Sequence, residues 1–269
     1  IGFGQPIHGL AGCQFPPFGS MPSTELDLVP AASRTLDLLE AFRSARKPLS
    51  LSALARIAGI PVSSCHGLIR TLERRGFLYY PSQHEAYPTR RLYELAREID
   101  AHDPIAQRLA PALATLRDDT GETVILGLRD GDAVLYLLVL EGPQVIRYTA
   151  RAGERKPLHS SSIGKALLGS LSAEALDLWL AGRTLPRITD RTITSATKLK
   201  RDLAAARARG YYVTSGENVA DVTAIAAPLS IGSAALGIAV AGPLQRMEPR
   251  LRKHAERLLA TVRGATDGR

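Results

Sequence analysis

The sequence predicts an α+β protein: an N-terminal winged helix-turn-helix, a linker helix, and a C-terminal domain of antiparallel strands with helices grouped between them. Three observations predict it. Short apolar-periodic runs, separated by Gly and Pro breaks, fill residues 30–75. A polar turn between aromatic-rich segments follows at once, in FLYYPSQHEAYP. Beyond Pro104 the chain alternates between helical and strand patterns. The length of 269 residues agrees with two domains.

The elements follow in order. Residues 1–20 are rich in Gly and Pro and have no period, so a disordered tail over 1–25 is expected, with Met21 as the native start. A DNA-binding unit is expected over 26–88, a linker helix over 89–103 and an effector domain over 104–269. From Pro30 the residues Ala32, Thr35, Leu36, Leu38, Leu39 and Phe42 fall on one helical face, until Arg46-Lys47-Pro48 breaks it. Ser50 or Ser52 caps a second, short helix that carries Leu51, Leu54, Ala55 and Ile57 and stops at Gly59. Pro61 then opens a third helix. In it Val62, Cys65, Ile69 and Leu72 form a buried stripe, with Leu68 beside them. The opposite face holds Ser63, Ser64, His66, Gly67, Arg70 and Arg74. Two helices joined through a short glycine turn make a helix-turn-helix, whose second helix enters the major groove. Small residues let that helix approach base edges, while Arg70, Arg74 and Arg75 reach phosphates. Phe77–Tyr80 and Glu85–Tyr87 are read as the wing, turning through Pro81–His84.

Residues 89–101 (TRRLYELAREIDA) form an amphipathic helix with Leu92, Leu95, Ala96 and Ile99 apolar; it carries dimer contacts or is a solvated linker. Helices are expected at 105–118, 162–171, 173–180, 196–209 and 248–262. Strands are expected at 123–128, 133–140, 145–150, 211–214, 223–228 and 235–241. The first two strands join at the tight turn RDGD.

Composition excludes several classes. No apolar run approaches the ~20 residues a membrane helix needs. Cys13 and Cys65 are too far apart in context to build a disulfide framework or zinc site. The six histidines are scattered without metal-ligand spacing. A reducing, cytoplasmic setting fits best, and no cofactor is expected. A net charge of +8 favours polyanionic partners.

Catalytic signals are thin. Ser162-Ile163-Gly164-Lys165 matches S-x-x-K, in which a lysine one turn on activates the serine, but the companion S-D-N and K-T-G elements are absent from the sequence. A serine hydrolase therefore stands only as an alternative to a non-enzymatic reading. A phosphate loop fails because His159 occupies the required glycine position. Ser160, Ser161 and Ser162 precede a helix N-terminus, which either suits the carboxylate of a small metabolite or is plainly N-capped by one serine.

From these residues the chain resembles the IclR family of transcriptional regulators over roughly Pro30 to Arg263. The segments that carry the resemblance are LSALARIAGIPVSSCHGLIRTLERRGFL, TGETVILGLRDGDAVLYL, LHSSSIGKALL and RGYYVTSGENVADVTAIAAPL with GIAVAGP. The resemblance implies a GAF-like effector domain, and a homodimer or dimer of dimers on double-stranded DNA at palindromic operators. It implies an acid effector held by Val145, Tyr148, Ser160, Ser161, Ser162, Ile163, Thr214, Ala224, Ala239 and Ala241. It implies DNA contacts from Ser63, Ser64, His66, Gly67 and Arg70, with Gln83 and His84 of the wing. An effector that reorients the dimer partners would change the spacing of the two recognition helices.

There are three departures from the family's pattern. Gly67 stands where arginine is usual, and a glycine costs a helix interior ~1 kcal/mol relative to alanine. If that change impairs operator binding, the chain is a ligand sensor with a degraded reading helix. Ala239 and Ala241 replace hydroxyl residues and, with Ala224, imply a roomier, more apolar pocket, suited to an aromatic acid. Asp221 replaces a common glycine.

Overall fold

A computed structural model describes residues 28–267, which form two compact units, 28–103 and 104–267. The tail, Met21 and Cys13 lie outside the described residues.

The first unit is a winged helix-turn-helix. Helix α1 (Pro30–Ala45) leads to β1 (Leu49–Ser50), α2 (Leu51–Ile57), α3 (Val62–Arg74) and the hairpin β2 (Leu78–Ser82) and β3 (Glu85–Pro88). Of the two serines offered as a cap for α2, Ser50 acts: its hydroxyl accepts from the Ala53 amide at 3.3 Å. Helix α3 ends in a paired turn. Gly76, at φ +76°, donates to Glu73, and Phe77 donates to Leu72, which satisfies carbonyls the helix leaves open.

Leu38, Phe42, Leu54, Cys65, Ile69 and Leu78 form the core. The stripe of α3 is thus narrower than its spacing suggests. Val62 is 53% exposed, because it begins the helix where the chain has not yet reached the core. Leu36 of α1 and Ile57 of α2 are likewise exposed. The wing strands run longer than expected and turn on Gln83-His84 alone. Edge-to-face contacts from Tyr79 to Tyr87 and from Tyr87 to Phe42 join the wing to α1. Among the described residues, helix α4 (Arg90–Ala101) has none that is fully buried, and Leu95 and Ile99 of its apolar stripe are exposed.

The second unit contains α5 (Pro104–Thr120), β4 (Thr123–Asp130), β5 (Ala133–Leu140), β6 (Arg155–Pro157), α6 (Ser162–Gly169), α7 (Ala173–Leu180), α8 (Ala196–Arg209), β7 (Tyr212–Ser215), β8 (Val222–Ile231), β9 (Ala234–Pro243), a single turn α9 (Leu244–Met247) and α10 (Leu251–Asp267). Its six strands form one antiparallel sheet in the order β6-β5-β4-β9-β8-β7. Period-2 alternation sends side chains to two cores. Val124, Leu126, Ile225, Ile238 and Val240 pack with Leu109, Leu113, Leu116 and Leu258 of α5 and α10. Ile125, Ala226, Ala239 and Ala241 face α6, α7 and α8.

One expected strand is absent. Residues 145–150 form no ladder, and Arg155–Pro157 pairs with Ala133–Leu135 instead. Side chains hold the segment in place: the Thr123 hydroxyl donates to the Tyr148 carbonyl, and Arg246 donates to that of Ile146. Among the described residues no helix is long and apolar enough to cross a membrane.

Candidate nucleic-acid interface and ligand cavity

The outward face of α3 is open. Ser63, His66, Gly67, Arg70 and Arg74 are exposed and Ser64 is half-buried, while Cys65 and Ile69 anchor the opposite side. Among the described residues neither Arg70 nor Arg74 is paired with a carboxylate, so both cations remain available to an anionic partner. Gln83 and His84 are exposed at the wing turn. Burial pushes the Cys65 thiol above its ordinary pKa, as suits an inert core residue.

The second unit encloses a small hollow of about 30 Å³ that opens to solvent. Strand register builds its floor. Thr214 opposes Ala224, and Ala224 opposes Ala241, so three short side chains form a row across β7, β8 and β9. The next row pairs Ile125 with Ala239. Larger residues at these alanines would fill the space. Ser161 and Ser162, at the start of α6, close one end with Asn218. Tyr136 and Tyr148 supply aromatic walls, and Val219 and Val222 complete the lining. No charged side chain of the described residues lines the hollow.

The helix end is partly occupied and partly open. The Ser161 hydroxyl donates to the Pro157 carbonyl at 2.7 Å and accepts from the Gly164 amide at 3.2 Å, so it is the N-cap. The Lys165 amide donates to the Ser161 carbonyl. The amides of Ser162 and Ile163 belong to the first turn, where no intrahelical acceptor exists. Of the two alternatives read from the serine run, capping is made by Ser161, and the first-turn amides beside Ser162 have no intrahelical acceptor.

Seven residues expected at the pocket meet there: Tyr148, Ser161, Ser162, Thr214, Ala224, Ala239 and Ala241. Three do not line it. Val145 is 93% exposed, because its segment is a loop and not a strand. Ser160 is buried behind the lining, its hydroxyl directed at Asn218. Ile163 points to the sheet, about 100° around the helix from Ser162. It sits over Gly127 and Gly237, which oppose each other across β4 and β9 and leave room for it. Ile125, Tyr136, Asn218, Val219 and Val222 also line the hollow and were not expected there. Only Ile125 was recoverable from sequence, by pairing it with Ala239.

Electrostatics separate this site from an activated serine. Lys165 is fully buried, and its Nζ donates to Asp202 at 2.8 Å and to Glu217 at 2.7 Å. An ammonium spent on two carboxylates is not poised to deprotonate Ser162. Burial raises the Glu217 pKa above its ordinary value, and Lys165 only partly offsets this. His159 is buried with its Nε2 at 2.9 Å from the Pro186 carbonyl, and burial lowers its pKa. It is a local hydrogen-bonding residue, as its position before a helix suggests. Burial, then the neighbouring Tyr148 phenol, push the Tyr136 phenol above its usual range, so it stays neutral. Asp221 does not adopt a positive φ, and its carbonyl accepts from Leu244, a role that does not require glycine. Among the described residues no cluster of three or more His, Cys, Asp or Glu side chains could hold a metal ion.

Comparison with known proteins bears on both units. The model of the IclR helix-turn-helix domain matches residues 31–82, and that of the bacterial transcriptional regulator IclR C-terminal domain matches residues 98–267. The chain is 33% identical over 256 residues to the HTH-type transcriptional regulator BhcR of Paracoccus denitrificans, covering 93% of this chain and 91% of that one. It resembles the crystal structure of a putative IclR transcriptional regulator from Silicibacter, with a TM-score of 0.70 and 25% identity, covering 88% of this chain and 95% of that one. It resembles equally an IclR homolog of Microbacterium hydrocarbonoxydans complexed with 4-hydroxybenzoate, with a TM-score of 0.69 and 25% identity over 88% and 97% of the two chains.

Proposed function

The chain belongs to the IclR family of bacterial transcriptional regulators, which pair a DNA-binding helix-turn-helix with an effector-binding C-terminal domain, and on that premise we propose that its effector is a small aromatic carboxylic acid bound in the hollow between α6 and the sheet. The observation that carries this reading is the alanine floor. Ala224, Ala239 and Ala241 leave an apolar slot between the open end of α6 and the two tyrosines. A carboxylate at the first turn of α6 takes its countercharge from the helix dipole and the open amides, and the Ser162 hydroxyl adds a donor. The ring then lies on alanine and isoleucine beside Tyr136 and Tyr148. Its apolar and aromatic lining suits a ring better than glyoxylate or pyruvate, which offer it little apolar surface. The homolog that holds 4-hydroxybenzoate supports the same class.

In this reading α3 reads DNA through Ser63, Ser64, His66, Gly67 and Arg70, with Arg74 on phosphates and Gln83 and His84 of the wing alongside. The working form is a cytoplasmic homodimer or dimer of dimers on a palindromic operator. Effector and DNA binding are linked only as far as the acid prefers one of two arrangements of the assembly.

The test is a panel of benzoate, 4-hydroxybenzoate, glyoxylate and pyruvate, followed by thermal shift and by gel shift on duplex from the chain's own upstream region. An acid at a hundred times its Kd stabilises the folded chain by ~2.7 kcal/mol, which raises Tm by several degrees. The aromatic acids are expected to raise Tm and to change the gel shift. A response to the oxo-acids alone overturns the aromatic assignment.

A further inference from the structure

Gly67 stands in the middle of α3, on its exposed face. Its φ is not positive, and a Cβ added there would meet nothing within 4 Å. The fold therefore makes no demand for glycine at this position, and an alanine would hold the helix better. What the glycine supplies must be sought on the side that faces a partner. One turn on, the Thr71 hydroxyl donates to the Gly67 carbonyl at 2.9 Å, so its proton is not available to a base acceptor. Ser63, one turn back, is short. The result is a notch floored by backbone and flanked by His66 and Arg70.

We propose that Gly67 is a specificity determinant in DNA reading: the notch seats α3 close to the base edges and admits the 5-methyl group of a thymine. This rests on the reading of α3 as the recognition helix. The physical reason is one of matching. The notch floor offers Cα–H and a hydroxyl whose proton is already donated, so an acceptor pressed against it would lose its water without gaining a partner. The apolar group that the major groove presents is the thymine methyl. An arginine at 67 would fill the notch and place a guanidinium where it pairs with guanine.

The experiment uses the full chain and its Gly67→Ala and Gly67→Arg variants. Each is used to enrich binders from random-sequence duplexes, and each enriched duplex is then titrated. The wild type is expected to enrich a half-site with an invariant thymine. Replacing that thymine by uracil, which lacks only the methyl group, should weaken binding about fourfold per substituted pair. Gly67→Ala should raise Tm yet bind the wild-type duplex more weakly, and Gly67→Arg should enrich guanine at the same position. The inference is overturned if uracil is tolerated at every thymine, if Gly67→Ala binds as tightly as the wild type, or if its Tm falls. A wild-type chain that enriches no sequence at all removes the recognition-helix premise itself, which is a distinguishable result.

Discussion

The Nζ of Lys165 lies 2.7 Å from Oε1 of Glu217, and the lysine has no exposed surface. The two residues are 52 positions apart in sequence. Their contact ties α6, whose first turn opens on the hollow, to the loop that contributes Asn218 and Val219 to its wall. The loop is fastened from a second side, because the Thr192 hydroxyl donates to the Glu217 carbonyl at 2.7 Å.

Lys165→Met leaves the buried Glu217 carboxylate, and the half-buried Asp202 beside it, without their cation. Loss of one partner of a buried pair costs ~3–5 kcal/mol. For a unit of this size that lowers Tm on the order of 10 °C, measured by calorimetry. A drop of only a degree or two would show that Lys165 does not hold the two elements together.

Glu217 sets a pH dependence. Burial raises its folded-state pKa above the ordinary 4.5, so the folded chain holds this proton more tightly than the unfolded one. The resulting stabilisation is fully present below pH 4.5 and is lost as pH rises through the folded-state value. Denaturant unfolding of wild type and Glu217→Gln across that interval should show the wild type losing stability relative to the variant as pH rises. A difference independent of pH would contradict the assignment.

Gly164 seats α6. A Cβ there would stand 2.2 Å from the Leu158 carbonyl oxygen and 2.5 Å from its Cα. Because the obstacle is backbone, Gly164→Ala should destabilise at the upper end of the ~1–3 kcal/mol typical of overpacking, or more. It should also weaken acid binding, since the first turn of α6 must move. Unchanged thermal stability and acid affinity would refute the close approach.

Ala241→Leu should fill the hollow from its floor. The expected result is loss of any benzoate-induced rise in Tm, with a helical content by circular dichroism that matches the wild type. Retained benzoate binding would place the effector elsewhere.

Arg70→Ala removes from the exposed face of α3 a cation that has no carboxylate partner among the described residues. Operator affinity should fall about tenfold or more, with a shallower dependence on salt if the contact is to phosphate. Gel shifts over a salt series measure both. No change in either would remove Arg70 from the interface.

The sequence by itself determined most elements of both units and the outward face of α3. Those features are local: apolar spacing, a serine cap and glycine stops act within a turn or a hairpin, where neighbours in sequence are neighbours in space. Only the tertiary structure decided the rest. That Val62 is exposed, that Ile163 packs on Gly127 and Gly237 while Ser162 meets the hollow, and that Lys165 is spent on Asp202 and Glu217 all depend on how distant segments approach. Strand register fixes which alanines share a row, side-chain hydrogen bonds and not a ladder place Tyr148, and a loop without periodicity brings Asn218 and Val219. A cavity is the space left between elements, so its lining is set by their packing and not by the pattern of any one of them.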